Sequence, residues 1–246
     1  MPNKPVAREL VAHWLAEHAD PPCPVWIRIN PATLEADIAV VTGAVAGVMV
    51  PKAEPELLVG VHDLLAARER ELELDPGRVG VIPLVETARG LLRSVELAES
   101  SRAVRLAIGR ADLAGELGLD VDSEGPEFLP LLLAIVVASA AAGIAPPVAP
   151  TATDFRDLVG LQASTERLLR LGFRGRSAIH PAQLETINAV FTPSAAAVER
   201  AERLVATFEA AEQSGSGVTT DEDGRMVDVA VVRSARELLS RAERTR

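Results

Sequence analysis

The chain has 246 residues and a formal charge of −10, with nearly half of its residues apolar, which suits one large α/β barrel or two small domains and permits a sizeable core. No lysine-rich block accompanies that negative charge, so a phosphate-backbone partner is not expected. One cysteine, Cys23, excludes an internal disulfide or a cysteine metal site; it precedes an apolar run and reads as a packed, inert thiol.

In chain order, residues 5–18 form a helical pattern with Val6, Leu10, Val11, Trp14 and Leu15 on one face. The charged residues Lys4, Arg8 and Glu9 in this opening segment argue against a signal peptide. Apolar runs at 25–29, 47–50, 79–85 and 104–108 read as strands, with weaker candidates at 145–148 and 173–178. Helical patterns fill the gaps at 32–41, 55–72, 88–99, 126–142, 154–171 and 181–190, and Ser194 caps a further helix over 195–213. The uncharged stretch 128–145 contains Pro130 and many small residues, and reads as a helix buried against a sheet rather than a membrane span. Residues 214–224 are rich in Ser, Gly, Thr and Asp and read as a flexible loop, followed by a short apolar stretch at 226–232 and a charged terminal helix. Strands alternating with helices imply parallel βα units and a barrel over 1–213, followed by the loop and terminal helix of 214–246. The count is short: six strands, where a closed barrel has eight. The chain is expected to be cytoplasmic, with no membrane partner.

Chemistry in a parallel barrel collects where strands end. Arg28 and Asn30 come after Val25-Trp26-Ile27 in the first apolar run, Lys52 and Glu54 after the second run, Glu86 and Thr87 after the third, Asp112 after the fourth, and His180 after the last. Glu86 and Asp112 stand at neighbouring strand ends, and hard cations such as Mg²⁺ take one or two carboxylates plus water and substrate oxygens. Arg28 offers a planar fork of donors that matches a carboxylate. Acidic residues at strand ends also serve as helix caps, so the spacing leaves both readings open.

The segments Trp26-Ile27-Arg28-Ile29-Asn30, Val48-Met49-Val50-Pro51-Lys52-Ala53-Glu54, Leu84-Val85-Glu86-Thr87-Ala88-Arg89-Gly90, Gly109-Arg110-Ala111-Asp112-Leu113 with Gly118, Ser177-Ala178-Ile179-His180-Pro181 with Gln183, and Gly224-Arg225-Met226-Val227-Asp228 together resemble the citrate lyase beta subunit family. That family includes citramalyl-CoA and malyl-CoA lyases and, more distantly, the metal-dependent 2-oxo acid aldolases. The resemblance implies a TIM-type (β/α) barrel and a Mg²⁺-dependent carbon–carbon lyase without a redox cofactor. Such an enzyme cleaves a 3-hydroxyacyl-CoA such as citramalyl-CoA or malyl-CoA into acetyl-CoA and a 2-oxo acid, or forms it. It implies metal ligation by Glu86 and Asp112, binding of the oxo acid and its developing oxyanion by Arg28, substrate or CoA contact by Lys52, and a lining of the site or its CoA approach by Arg89 and Ile179-His180-Pro181. Asp228 corresponds to an aspartate on a C-terminal lid that reaches a neighbouring subunit's active site, which implies a homo-oligomer, a trimer or hexamer, with CoA thioesters and 2-oxo acids as partners. Beside these stand plainer readings: Lys52 paired with Glu54, Arg89 solvated or ion-paired, His180 structural, and Asp228 a cap of the last helix. Relatives carry two strands and an acidic loop before the segment that here holds Lys4 and Ala7-Arg8. A metal-dependent 2-oxo acid aldolase, a citrate lyase beta subunit acting on a citryl thioester, and a catalytically impaired truncated paralogue serving as an assembly subunit are the competing readings. The arginine–carboxylate set argues against the last.

Overall fold

The computed structural model describes residues 3–120 and 126–244. It divides into two compact units, Met1–Gln183 and Leu184–Arg246. The first unit runs α1 (Lys4–Glu17), β1 (Val25–Arg28), α2 (Leu34–Ile38), β2 (Val45–Val50), α3 (Pro55–Glu71), β3 (Gly80–Val85), α4 (Ala88–Leu92), α5 (Ser94–Ala98), β4 (Ala107–Ile108), α6 (Arg110–Leu117), α7 (Leu129–Ala141) and α8 (Leu158–Leu171).

The strands pair in sequence order, β1-β2-β3-β4, all parallel. Two isolated parallel bridges, Ala107 to Val148 and Ala149 to Arg176, continue the series at the two weaker sequence candidates. The sheet curls into a half-barrel of the TIM type, wrapped by helices.

Side-chain alternation gives the sheet two different faces. Val25, Ile27, Ile29, Val48, Val50, Val81, Val85 and Ile108 face the helices and join Leu58, Val61, Leu65, Leu97, Ile135 and Leu168 in the main core. The alternate residues Trp26, Met49, Ile82, Leu84, Ala107 and Val148 form a second, smaller cluster on the concave side. The Trp26 ring lies over Gly47 and Gly80, and a Cβ at Gly47 would come 2.2 Å from its Cζ3 and 2.4 Å from the Gly80 carbonyl. No other residue leaves room for the indole there.

The helices follow their punctuation. Pro55 opens α3, whose buried residues Leu58, Val61, Leu65 and Glu69 fall on one face at spacings of three and four. Asp157 caps α8 by accepting from Gly160 N at 2.8 Å, and Gly172 ends it at φ 108°. The segment expected as one helix over 88–99 is broken at Arg93 into α4 and α5. One helix escaped the sequence reading: α6, a short element closed by Gly118 at φ 69°. None of the helices among the described residues is long and apolar enough to cross a membrane.

Two expectations fail. Cys23 is exposed, because it lies in the loop ahead of β1, and burial starts with the strand. Of the apolar face expected on α1, only Leu15 is buried, while Val6, Leu10, Val11 and Trp14 are 38–65 % exposed. Periodicity marks an apolar stripe without saying what covers it.

Glu69 sits in the core register of α3 because it meets Arg102. The guanidinium donates to both carboxylate oxygens at 2.7 and 2.8 Å, and Gly77 N and Val79 N add two more hydrogen bonds. Arg102 also reaches Val79 O and His62 Nδ1. This buried clamp ties α3 to the entry of β3. Arg102 and the two main-chain donors outweigh burial and hold the Glu69 pKa at about 2.

The second unit holds α9 (Leu184–Phe191), α10 (Ala195–Gln213), β5 (Thr219–Thr220), β6 (Met226–Val227) and α11 (Val229–Arg244). Ser194 caps α10 through Ala197 N. The expected flexible loop contains one arm of a small antiparallel ladder, with Thr219 opposite Val227 and Thr220 opposite Met226. Its turn is set by Asp221, whose Oδ1 accepts from Asp223 N and Arg225 N, and by Gly224 at φ 75°. Phe208, Val227 and Val232 form this unit's own small core.

Candidate functional site

Arg28 is the last residue of β1 and shares the concave face with Trp26, two residues earlier. Glu86 follows β3 and, two residues beyond Leu84, turns to the same side. Both line a cavity of about 600 Å³ at the strand ends, together with Asn30, Asp37, Lys52, Asp112 and, from α1, Arg8. The structure thus brings Arg28, Lys52, Glu86 and Asp112 to one place.

Glu86 is almost fully buried, at 3 % exposure. Its Oε1 accepts from the main-chain N–H of Lys52 at 3.0 Å and lies 3.7 Å from Arg28 Nη2. Burial pushes its pKa above the usual carboxylate value, Arg28 opposes the shift, and the nearby Asp112 adds to it. Asp112 is half exposed and lies 3.9 Å from Lys52 Nζ. It stands in the first turn of α6 rather than at a bare strand mouth, where its charge also suits the helix dipole.

The loops that carry these groups are fixed by hydrogen bonds. Asp37 Oδ2 accepts from Asn30 N at 2.7 Å, and its Oδ1 accepts from Arg8 Nε at 2.7 Å, so one carboxylate anchors both the loop after Arg28 and helix α1. Lys52 adopts a left-handed φ of 49°, and Ala53 N donates to Leu84 O, which seats the loop after β2 against β3. Thr87 Oγ1 donates to Glu54 and accepts from Gly90 N, capping α4 directly behind Glu86.

Among the described residues, no three or more His, Cys, Asp and Glu side chains cluster to hold a metal. A cation here would have two carboxylates, with the rest of its shell left to water and ligand, which is the usual arrangement for Mg²⁺. Glu86 and Asp112, two carboxylates lining one open cavity, fit that role.

A family model described as HpcH/HpaI aldolase/citrate lyase matches residues 1–181. The chain belongs to the HpcH/HpaI aldolase/citrate lyase family. The (3S)-malyl-CoA thioesterase of Cereibacter sphaeroides is 38% identical over 180 residues, which cover 72% of this chain and 62% of that protein. The chain therefore spans less than two thirds of the length of this relative. The citrate lyase subunit beta of Escherichia coli is 30% identical over 247 residues, covering 98% of this chain and 81% of the relative. The Mycobacterium tuberculosis protein CitE, solved in complex with magnesium, acetoacetate and coenzyme A, superposes with a TM-score of 0.72 at 27% identity, covering 98% of this chain and 84% of that one.

Other candidates in this HpcH/HpaI-family chain have different surroundings. His180 is exposed, its ring stacks on Phe155 at 4.5 Å, and its Nδ1 accepts from Ala182 N at 3.1 Å. Those contacts suit the structural reading. Arg89 is exposed on α4. Asp228 belongs to the second unit, where its Oδ1 accepts from Ala230 N and Val231 N and so caps α11.

Sequence reasoning missed Asp37, whose only signal was an acidic residue on the short helix after Asn30. It also missed the steric role of Gly109. A Cβ there would lie 2.6 Å from Glu86 Oε2 and 2.7 Å from Glu86 Cβ. Gly109→Ala must therefore displace the buried carboxylate. We expect this variant to weaken Mg²⁺ binding about tenfold or more while keeping its far-ultraviolet circular dichroism; calorimetric titration beside the wild type checks it.

Proposed function

We propose that the chain is a Mg²⁺-dependent lyase that cleaves a 3-hydroxyacyl-CoA, such as citramalyl-CoA or malyl-CoA, into acetyl-CoA and a 2-oxo acid, and forms it in reverse. The convergence of Glu86, Asp112 and Arg28 on one cavity carries this reading. The relative with magnesium, acetoacetate and coenzyme A supports the ligand classes, and the citrate lyase subunit beta supports the reaction class.

When bound, Mg²⁺ would supply a Lewis acid for the hydroxyl that becomes the carbonyl of the 2-oxo acid and a template for the adjoining carboxylate. Glu86 and Asp112 would hold it. Arg28 is placed to receive the oxo-acid end and to stabilise the negative charge that grows on oxygen as the bond breaks. In cleavage the hydroxyl loses its proton to solvent water, the C–C electron pair passes to the thioester as its enolate, and C2 of the acetyl group takes a proton. The balance needs no further reactant. We assign the proton at C2 to Asp228 on the lid of a neighbouring subunit in a homotrimer or hexamer, a role supported by the family resemblance of its segment. Lys52 is assigned contact with substrate or with its CoA approach.

A second reading, hydrolysis of the thioester, is favoured by the 38% identity to a malyl-CoA thioesterase. One assay separates the two. The purified protein with Mg²⁺ is given malyl-CoA, citramalyl-CoA and citryl-CoA, and both 2-oxo acid and free thiol are measured. We expect 2-oxo acid and acetyl-CoA in equal amounts without free thiol. Free CoA with intact malate would establish the thioesterase instead, and no 2-oxo acid from any of the three would overturn the proposal.

A further inference from the structure

Lys52 is one of two non-glycine residues with positive φ among the described residues, at 49°. A lysine gains nothing from that conformation by itself, and such strain persists where the surroundings require it. Here the requirement is visible. Pro51 and Ala53 are buried on either side, while the Lys52 side chain is 62% exposed. The turn directs the Lys52 N–H onto Glu86 Oε1 at 3.0 Å and leaves Nζ 3.9 Å from Asp112 Oδ1. A single residue thus touches one carboxylate with its backbone and the other with its ammonium. Arg28 lies 3.7 Å from Glu86, so the two acidic groups each have a cation of their own.

We propose that Lys52 is a positioning residue, the built-in counter-cation that holds the Glu86–Asp112 pair together and is displaced when a divalent cation enters. This rests on the metal-site reading above. With both carboxylates ionised, two negative charges line the same cavity and repel each other, and the ammonium offsets that repulsion. A dication arriving between them meets the same positive charge and must drive it out. The exposed lysine stem can swing to solvent, whereas the N–H stays on Glu86 because the backbone is fixed. The ammonium therefore lowers metal affinity, while the amide preserves the geometry that metal binding needs.

The test is calorimetric titration of Mg²⁺ into the full chain at pH 8, without substrate. Lys52→Met removes the charge and keeps the stem. Lys52→Gly removes the charge, keeps the N–H and relieves the left-handed backbone, so it guards against misfolding. Both variants should bind Mg²⁺ about fivefold more tightly than the wild type, the scale of one unit-charge interaction near 4 Å in water, and Lys52→Arg should restore wild-type affinity. A lysine that merely supported the loop would give weaker binding when replaced. Equal or weaker binding in both the Met and Gly variants overturns the proposal. A wild type that binds no Mg²⁺ at all brings down the metal-site reading itself.

Discussion

Glu86→Gln should abolish measurable Mg²⁺ binding and lower turnover by roughly a hundredfold or more, yet make the protein more resistant to heat. The two effects share one cause. Glu86 is 3 % exposed just past β3, and its pKa is raised by that burial first, with Asp112 adding to the shift. A carboxyl whose folded pKa exceeds its unfolded value of 4.5 is favoured by folding in its neutral form. Its contribution to stability is fully present below pH 4.5 and is lost as pH rises through the raised folded value. Above that value the wild type carries an ionised group that the fold disfavours. Glutamine stays neutral, and its side-chain oxygen can still accept from Lys52 N. A gain of about 1 kcal/mol, or about 2–4 °C in Tm, is expected. Asp112→Asn should lose the metal equally but without the thermal gain, because Asp112 is half exposed. Metal titration and thermal melting at pH 8 check both variants. Unchanged Mg²⁺ affinity in either one would refute the two-carboxylate site.

Arg102→Ala should destabilise the first unit by about 3–5 kcal/mol, since it leaves the Glu69 carboxylate buried without its counter-charge. The pH dependence runs opposite to that of Glu86. Glu69 is lowered from 4.5 to about 2, so its contribution is fully present above pH 4.5 and is lost as pH falls from there toward 2. The total is about 3 kcal/mol. Urea unfolding at pH 7 and pH 3 should show the wild type losing much of this margin, and Arg102→Ala losing far less. A wild-type stability flat between those pH values would mean that the clamp contributes little. Replacing both partners by methionine should recover part of the loss, because a packed apolar pair avoids the unpaired charge.

The order of the sheet was legible because parallel strands buried on both faces read as short apolar runs, and the first four runs lead to residues that reach the cavity. Arg28, Lys52, Glu86 and Asp112 were found that way, and they do line one cavity. Less visible was anything set by contacts distant in sequence. Glu69 and Arg102 lie 33 residues apart, and the charged end of α3 reads as solvated surface. Only its place after Leu58, Val61 and Leu65 at helical spacing hinted that Glu69 points inward. Helix α6 was too short for periodicity to reveal, although Gly118 marked its end. The exposed stripe of α1 shows the reverse limit, a clear pattern whose cover the sequence does not specify.

The clamp holds the residue that leads into β3, and Glu86 stands just past its far end. Between them lies a strand about 20 Å long at ordinary rise. The anchor of the stave and its reactive tip are thus served by different neighbours. Substitutions that retune what the mouth accepts can accumulate without unseating the strand that carries it, which makes this end of the half-barrel the natural ground for altering substrate choice by directed evolution.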